Sequence, residues 1–405
     1  MNRKKWYCII PVFCCLISVS AQQTSELKNV PAQVSIFYPL GTDGRQSPHN
    51  LYNFSFNLLT GKVGGLSGME ISGLYGQVEN NFLGFQVAGL GNVAGGGMKG
   101  MQVAGLANVI GDGVLGMQIA GLANIVGDGM KGIQVTGLAN VIGDGMQGMQ
   151  VAGLANVIGD GMQGMQITGL VNVIGDKMLG MQVAGLANIV GDGVKGLQIA
   201  GLANVVGDEM KGVQIGLYNR VRTSKGLQIG LVSVNDTIAN GVSLSLINIV
   251  KKGAYREWEL SFADYANVAL SYKMGVQKFY TIYTAGVNFI EDNLWTFGIG
   301  FGNRTPIGSR FDFQPELVYC NYFPTNFKNI QNTFATHLKL GFVYCLNEKF
   351  GLSLAPSVYV MNADKRSNSG SEFYKAGPFN ALYTNKSGNT RTTIGVGISI
   401  GLSIK

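Results

Sequence analysis

A pattern of apolar and polar positions with a period of sixteen residues recurs along the middle of the chain, in near-identical copies from Gly84 to Lys211. Its fullest form reads Gly-Met-Gln-Val-Ala-Gly-Leu-Ala-Asn-Val-Ile-Gly-Asp-Gly-Met-Gln, and a weaker copy at Gly68 keeps the same phase. The copies begin at Gly84, Gly100, Gly116, Gly132, Gly148, Gly164, Gly180 and Gly196.

The glycines of each copy exclude a helix, because each Gly costs about 1 kcal/mol relative to Ala in a helix interior. Two short runs, Met-Gln-Val-Ala and Leu-Ala-Asn-Val-Ile, suit β-strands, and glycine-rich turns separate them. A fixed period of this length predicts a β-solenoid in which each copy forms one coil. The units after Gly212 and Gly226 are shortened, as expected of the coils that end such a stack. Residues 242–250 are predicted to form either the last coil or a crossover strand.

The same pattern leaves a second architecture open, namely one large up-and-down β-barrel or meander with one strand per repeat. A strand of this length could cross an outer membrane. However, no aromatic residue lies between Phe85 and Tyr218, whereas barrel walls carry aromatic girdles at both interfaces. The solenoid is therefore the favoured prediction.

In a solenoid, equivalent positions of successive coils lie about 4.8 Å apart, so identical side chains form columns. Two of these columns are amides, which can donate to one another and accept from one another along the stack. We therefore assign them a structural role rather than ligand binding. The columns are Gln86, Gln102, Gln118, Gln134, Gln150, Gln166, Gln182 and Gln198, and Asn92, Asn108, Asn124, Asn140, Asn156, Asn172, Asn188 and Asn204.

A third column brings like charges into register at the Gly-Asp turn. These turns resemble those of calcium-binding repeat toxins, so calcium is the one cofactor that the repeats suggest. Each copy supplies one acidic side chain, whereas calcium takes six to eight oxygens, so the favoured reading is a solvated turn with no metal. The column comprises Asp112, Asp128, Asp144, Asp160, Asp176, Asp192 and Asp208.

Longer strands with aromatic and charged residues replace the repeats after residue 250, and they alternate apolar with small or polar positions. Short turns alternate with longer loops, a pattern that favours an antiparallel outer-membrane β-barrel over a soluble sandwich. In the last strand, Ile394, Val396 and Ile398 oppose glycines and serines. The eight predicted strands cover 255–263, 266–274, 278–290, 293–303, 309–323, 333–346, 349–362 and 391–405.

Charged side chains on the small or polar faces of these strands predict a pairing network that fills the barrel lumen rather than a pore lining. This lumen set comprises Arg310, Asp312, Glu316, His337 and Lys339. It contains neither a catalytic triad nor a metal site, so we expect no catalytic residues and no enzyme. Cys320 and Cys345 fall near opposite rims of adjacent strands, too far apart for a disulfide.

The first 21 residues have the layout of a secretory signal, with a basic start, an apolar run and a small-residue cleavage site after Ala21. Removal of Arg3, Lys4 and Lys5 takes the formal net charge from +7 to +4, too small an excess to indicate nucleic-acid binding.

The predicted organisation is a signal peptide (1–21), a β lead-in or N-terminal cap (22–67), the repeat domain (68–250) and the barrel (251–405).

The Gly-x-Gln-[Val/Ile]-x-Gly-Leu-x-Asn repeats, the Gln-Ile-Gly-Leu variants at 214–217 and 228–231, and the barrel-like end resemble a bacterial family. This is the Bacteroidota-type family of uncharacterised surface repeat-containing outer-membrane proteins. The resemblance implies export to the outer membrane of a Gram-negative bacterium, and it carries no catalytic residues. We therefore expect a non-enzymatic protein whose partners are outer-membrane lipid and an unidentified surface or periplasmic molecule. A transport protein that uses the whole chain as a pore is the alternative.

Overall fold

The computed structural model describes residues 27–263, 266–288, 294–324, 333–364 and 381–405. The predicted signal segment, residues 1–21, lies outside these ranges. The fold is all-β, with a solenoid of about 13 turns followed by a closed antiparallel barrel.

The chain divides into two compact units, Met1–Gly201 and Leu202–Lys405. In the part of the chain just defined, no helix is long and apolar enough to cross a membrane.

Two strands make up most coils of the solenoid, one of seven residues and one of four, and a 3-10 helix (Gly44–His49) precedes the third strand. The solenoid strands are β1 (Lys28–Phe37), β2 (Leu40–Gly41), β3 (Asn50–Asn57), β4 (Thr60–Val63), β5 (Gly65–Ser72), β6 (Tyr75–Val78), β7 (Phe82–Ala88), β8 (Gly91–Ala94), β9 (Met98–Ala104), β10 (Ala107–Ile110), β11 (Val114–Ala120), β12 (Ala123–Val126), β13 (Met130–Thr136), β14 (Ala139–Ile142), β15 (Met146–Ala152), β16 (Ala155–Ile158), β17 (Met162–Thr168), β18 (Val171–Ile174), β19 (Met178–Ala184), β20 (Ala187–Val190), β21 (Val194–Ala200), β22 (Ala203–Val206), β23 (Glu209–Ile215), β24 (Tyr218–Ser224), β25 (Leu227–Ile238) and β26 (Val242–Lys252).

Strands of successive coils pair in parallel, and each residue lies beside its counterpart sixteen residues later. Strand β11 pairs with β13 from Val114 opposite Met130 to Ala120 opposite Thr136. The short strands repeat this register, with Asn124 beside Asn140 in β12 and β14. The predicted solenoid is confirmed, and the alternative of one large up-and-down barrel is wrong, because that architecture requires antiparallel neighbours.

The parallel ladder extends beyond the near-identical copies at both ends. At the N-terminal end, β1 pairs in parallel with β3, and β3 pairs with β5 across a register shift. The segment expected to be a lead-in therefore supplies the first coils. At the other end, β25 pairs in parallel with β26, from Leu227 beside Val242 to Thr237 beside Lys252. Residues 242–250 thus form the last coil of the stack.

Eight of the described strands close the barrel, and the first pairs with the last, from Trp258 opposite Ile404 to Ala263 opposite Ser399. Their bounds agree with the predicted strands to within a few residues. The wall strands are β27 (Tyr255–Ala263), β28 (Val268–Val276), β29 (Phe279–Asn288), β30 (Leu294–Gly302), β32 (Phe311–Pro324), β33 (Phe334–Cys345), β34 (Phe350–Asp364) and β36 (Thr390–Ile404). Two strands were not predicted: β31 (Thr305–Pro306), which pairs with β32, and β35 (Ala381–Ser387), which pairs with β36.

Short connections lie at one rim of the barrel. The turn between β28 and β29 and the turn at 346–349 are at this rim, where β27 also begins and β36 ends. Strands β27, β29, β32 and β34 end at the opposite rim, where β28, β30, β33 and β36 begin. Cys320 and Cys345 form no disulfide, as predicted.

The first glycine of each copy from Gly84 to Gly212 has a backbone conformation that side chains rarely adopt. Gly148 has φ = 137°, and a Cβ built there lies 1.9 Å from the carbonyl oxygen of Gly132 in the preceding coil. The seven-residue strand bends at this position, and the coils approach too closely for a side chain. By contrast, Gly91 occupies a position where most later copies have Ala, and its nearest atom to a Cβ is 3.4 Å away.

We predict that Gly148→Ala destabilises the surrounding coils by at least about 2 kcal/mol, because it combines backbone strain with a steric clash. Amide hydrogen exchange of the full-length protein in detergent measures this effect as faster exchange around residues 132–164. Gly91→Ala is the matched control, and we expect its exchange rates to equal or fall below those of the wild type. Equal protection in both variants contradicts the close approach of the coils.

Candidate functional site

The interior of each coil combines apolar side chains with amides. In the coil that starts at Gly100, Gln102 and Asn108 are completely buried, together with Ala104, Ile110 and Val114. Strand alternation causes this arrangement, because every second residue of a strand points to the same side. A buried amide loses free energy unless it finds hydrogen-bond partners, so the pattern requires the columns that the sequence predicts.

The glutamine column is continuous through the first unit. The Nε2 of each Gln donates to the Oε1 of the Gln one coil earlier, as in Gln102 to Gln86 at 2.7 Å and Gln118 to Gln102 at 2.9 Å. The series continues in the same direction to Gln198, which donates to Gln182 at 2.8 Å. In the second unit, Gln228 donates to Gln214 at 2.8 Å. Each amide therefore links two coils.

The asparagine column points in the opposite direction. The Nδ2 of Asn108 donates to the Oδ1 of Asn124 in the following coil at 3.0 Å, and it also donates to the carbonyl oxygen of Ile119 at 2.8 Å. The same pair of bonds recurs in the other coils of the first unit. In the second unit, Asn204 donates to Asn219 at 3.0 Å. The two amide columns thus run antiparallel, so their side-chain dipoles oppose each other.

Glu70 ends the glutamine column at the N-terminal side. It lies beside Gln86 in the strand register, is completely buried, and accepts a hydrogen bond of 2.6 Å from the Nε2 of Gln86. Asn57 Nδ2 donates to its other oxygen at 3.0 Å. Burial raises the pKa of Glu70 from 4.5 to about 7, although the hydrogen bonds from Gln86, Ser55 and Asn57 partly lower it. Gly76 makes room for it, because a Cβ there lies 2.9 Å from the carboxylate.

The aspartate column lies at the surface, at the turn after each short strand. All seven side chains are exposed, and backbone hydrogen bonds stack the turns, as between Asp176 and Asp160 at 3.0 Å. Asp208 additionally pairs with Arg222 at 3.4 Å. Within the described ranges, no group of three or more His, Cys, Asp or Glu side chains could hold a metal ion. The arrangement matches solvated turn residues.

A buried ion-pair network fills the barrel lumen. The Nζ of Lys273 lies 2.7 Å from carboxylate oxygens of both Glu259 and Glu316, and 3.3 Å from Glu257. Arg304 pairs with Asp312 at 2.6 Å and also with Glu257. All of these side chains are buried or nearly so, so the network packs the inside of the barrel.

The lumen set predicted from the sequence is correct for four of its five members. Asp312, Glu316 and Lys339 belong to the network, with Lys339 at 3.4 Å from Glu316. His337 points inward and lies 3.4 Å from the hydroxyl of Tyr322. Arg310 is the exception. It is exposed at the rim and donates to the hydroxyl of Tyr344, because it precedes β32 and does not share that strand's alternation.

The prediction missed the four residues that hold the network together, namely Glu257, Glu259, Lys273 and Arg304. A signal for the first two was present, since they alternate with Trp258 and Leu260 along β27. Arg304 gave no such signal because it follows the end of β30 and points into the lumen from a connection.

The outer wall of the barrel is apolar, and its aliphatic and aromatic side chains lie at different distances from the two rims. Aliphatic side chains such as Leu260, Leu338 and Ile400 are 44–56% exposed around its middle. Aromatic pairs cluster towards both rims. Near the short-turn rim these pairs are Phe311–Tyr344, Phe313–Phe342, Phe279–Phe301 and Trp258–Tyr272, and near the other rim they are Trp295–Phe297, Phe297–Phe323 and Tyr319–Phe334.

No family model, curated protein or solved structure matches the chain. The solenoid and barrel are compatible with a non-enzymatic structural or surface protein.

We predict that Glu70→Gln stabilises the solenoid in a pH-dependent manner. Between pH 4.5 and about 7 the folded protein keeps a proton that the unfolded chain releases, so the wild type loses stability as the pH rises through this window. The stability gained by Glu70→Gln should therefore grow by about 3 kcal/mol between pH 4 and pH 8. Chemical denaturation followed by circular dichroism at both pH values measures it.

Gln118→Glu is the matched contrast. The carboxylate that this substitution introduces cannot donate to Gln102 once it is ionised, so the variant should lose stability as the pH rises. An unchanged difference between Glu70→Gln and the wild type at the two pH values contradicts a buried Glu70 that titrates near neutrality.

Proposed function

We propose that this chain is a non-enzymatic outer-membrane protein, with the barrel as its anchor in lipid and the solenoid as a structural or interaction domain. The observation that carries the proposal is the wall of the barrel, with an aliphatic belt between two aromatic rims. Transmembrane barrels have this order, because aromatic side chains favour the two membrane interfaces and aliphatic side chains favour the hydrocarbon.

The distribution of polarity supports the same proposal. A soluble barrel buries its apolar residues and exposes its polar ones, whereas here Glu257, Lys273 and Glu316 are buried while Phe297 and Ile398 are 46% and 54% exposed. An exposed apolar surface that surrounds a domain is costly in water. The closed ladder leaves no unpaired strand edge in the wall, which is the condition for crossing a bilayer with strands.

The filled lumen favours an anchor over a pore. An eight-stranded barrel has an interior just wide enough for side chains, and here Lys273 and Arg304 bridge carboxylates from several strands. The barrel comprises only residues from 255 to 404, so the repeats do not enlarge it. This counts against the transport alternative, which required the whole chain as a barrel.

The repeats supply no arrangement that suggests catalysis. Their buried polar residues form uniform amide columns that hold the coils together, as in Gln150 with Gln134 and Asn140 with Asn156. Export to a Gram-negative outer membrane, and membership of the Bacteroidota-type surface repeat family, belong to the same proposal. The signal-like first 21 residues and the repeat sequence support them.

We predict that Ile400→Lys, at the middle of the wall, destabilises the barrel in phospholipid vesicles by about 2–4 kcal/mol. Ile307→Lys is the matched control. It replaces a similarly exposed isoleucine, 60% against 56%, in the connection at the rim, where the expected cost is about 0–1 kcal/mol. Urea unfolding in vesicles, followed by tryptophan fluorescence, measures both. Equal small effects mean that the wall faces water, and they refute the anchor.

We predict that the purified protein gives no steady ion conductance in planar bilayers, because buried ion pairs occupy the lumen. Insertion is verified in parallel by protection of the barrel from added protease. Stepwise currents from inserted protein refute the anchor model in favour of a pore.

A further inference from the structure

A continuous groove of about 1150 Å³ runs along one side of the first unit. Its bottom consists of glycines, which have no side chain, and of the buried Met or Val that follows each glycine. We call this groove the trough. At about 4.8 Å per coil, five coils extend over about 24 Å. The trough glycines are Gly97, Gly113, Gly129, Gly145 and Gly161.

The backbone does not require glycine at the trough positions. None of the five has a positive φ. A Cβ built at Gly129 or Gly145 lies 3.1 Å from its nearest neighbour, in contrast to 1.9 Å at Gly148. Asn81 precedes the series at the same position, and Lys177 follows it with the ladder intact, since Met162 N donates to its carbonyl oxygen at 2.8 Å. Side chains therefore close both ends of a space that the glycines leave open.

An exposed column of side chains borders the trough on one side. It is formed by the residue two positions after each trough glycine, and we call it the ridge. Leu115, in the ridge, is 51% exposed. The ridge has the length and period of the trough because both belong to the same coils. Its members are Lys99, Leu115, Lys131, Gln147 and Gln163.

The two sides of the trough have charges of opposite sign. Asp128 immediately precedes Gly129, and Lys131 follows it by two residues, while Met130 between them is buried. Both charged side chains are exposed. The aspartate column thus borders the trough on the side away from the ridge. Across this surface the order is aspartate, trough and ridge.

We propose that a second copy of this chain fills the trough, so that the first units of two copies lie side by side with the ridge of each in the trough of the other. A two-fold axis parallel to the coil stack produces this arrangement, because it places each ridge opposite a trough and keeps equivalent coils at the same height. Such an isologous contact makes every interaction twice. The second copy has the required spacing by identity, whereas an extended peptide advances about 3.3 Å per residue and falls out of step with the coils.

The charges fit this arrangement. Lys131 of each copy lies over the trough of the other copy, beside the aspartate column that contains Asp128. Opposite charges at such a rim fix the orientation of the partner, while ridge residues such as Leu115 bury apolar surface against the trough. The inference rests on the proposed interaction role of the solenoid and not on the anchor in lipid, so it can fail while the anchor holds.

Filling the trough tests the contact. Sedimentation of the full-length protein in detergent should give two copies for the wild type and one for Gly145→Lys, with unchanged circular dichroism because Lys177 already occupies the same position in another coil. Leu138→Lys, which adds the same charge at a leucine 42% exposed outside the trough, is the matched control and should stay dimeric. A monomeric wild type, or a dimeric Gly145→Lys, overturns the proposal.

Charge reversal tests the orientation. Lys131→Asp and Asp128→Lys should each raise the dissociation constant about tenfold or more, because each brings like charges together across the contact. The double variant exchanges the two charges and should return the dissociation constant close to that of the wild type. A double variant as weak as the single variants overturns the two-fold arrangement.

Cross-linking in cell envelopes tests the contact in place. Differently tagged chains with Cys320→Ala and Cys345→Ala carry Gly145→Cys in one and Gln147→Cys in the other. A disulfide between the two tags is expected, since it needs Cα atoms within about 7 Å. Gly145→Cys with Leu154→Cys is the control pair and should give none. No cross-link at 147, with that cysteine shielded from a soluble maleimide, means that a different molecule covers the ridge, and it overturns the proposal.

Discussion

The in-register backbone ladder between coils is the constraint on which the solenoid depends. When each residue pairs with its counterpart sixteen residues later, most side chains lie beside an identical or similar one along the axis. Only residues that tolerate stacking with themselves can then occupy the interior. Alanine and isoleucine do so by packing, and amides do so by donating in one direction and accepting in the other. Charged side chains do not, which explains why the aspartates lie at exposed turns.

The sequence predicted this domain well because its contacts are local and periodic. Sixteen-residue spacing specifies which residues meet, so the glutamine and asparagine columns could be assigned before their hydrogen bonds were known. The barrel was predictable at the level of strands and faces, since alternation shows which side chains share a side. It was less predictable at the level of partners. Lys273 lies between Glu259 and Glu316 because strands far apart in sequence curve around one lumen. The alternation of apolar and polar residues does not show which strands lie across the lumen from one another.

Two of the errors in the lumen set, the inclusion of Arg310 and the omission of Arg304, have a common origin. Arg310 immediately precedes β32, and the alternation of that strand, extended by one residue, wrongly predicts that its side chain points inward. Arg304 follows the end of β30, so the alternation of β30 does not predict its direction. Both residues lie in the connection between β30 and β32. Side chains there no longer point alternately to the two sides of a strand, so their direction cannot be predicted from position. The strand β35 lies between the predicted strands 349–362 and 391–405, where the sequence shows no alternation that predicts a strand.

Both domains bury polar groups and expose apolar ones, but the buried polar groups find their partners differently. In the barrel the groups are acidic and basic side chains that find unlike partners across the lumen, so the network has a fixed size. In the solenoid the groups are neutral amides that find identical partners along the axis, so a column can extend over any number of coils. A residue of another type must therefore end it. In the first unit Glu70 ends the column by accepting from Gln86, and in the second unit Asn235 donates to Gln228 at 2.9 Å. Because each glutamine donates to the one before it, the first glutamine of the column requires an acceptor, and Glu70 supplies it.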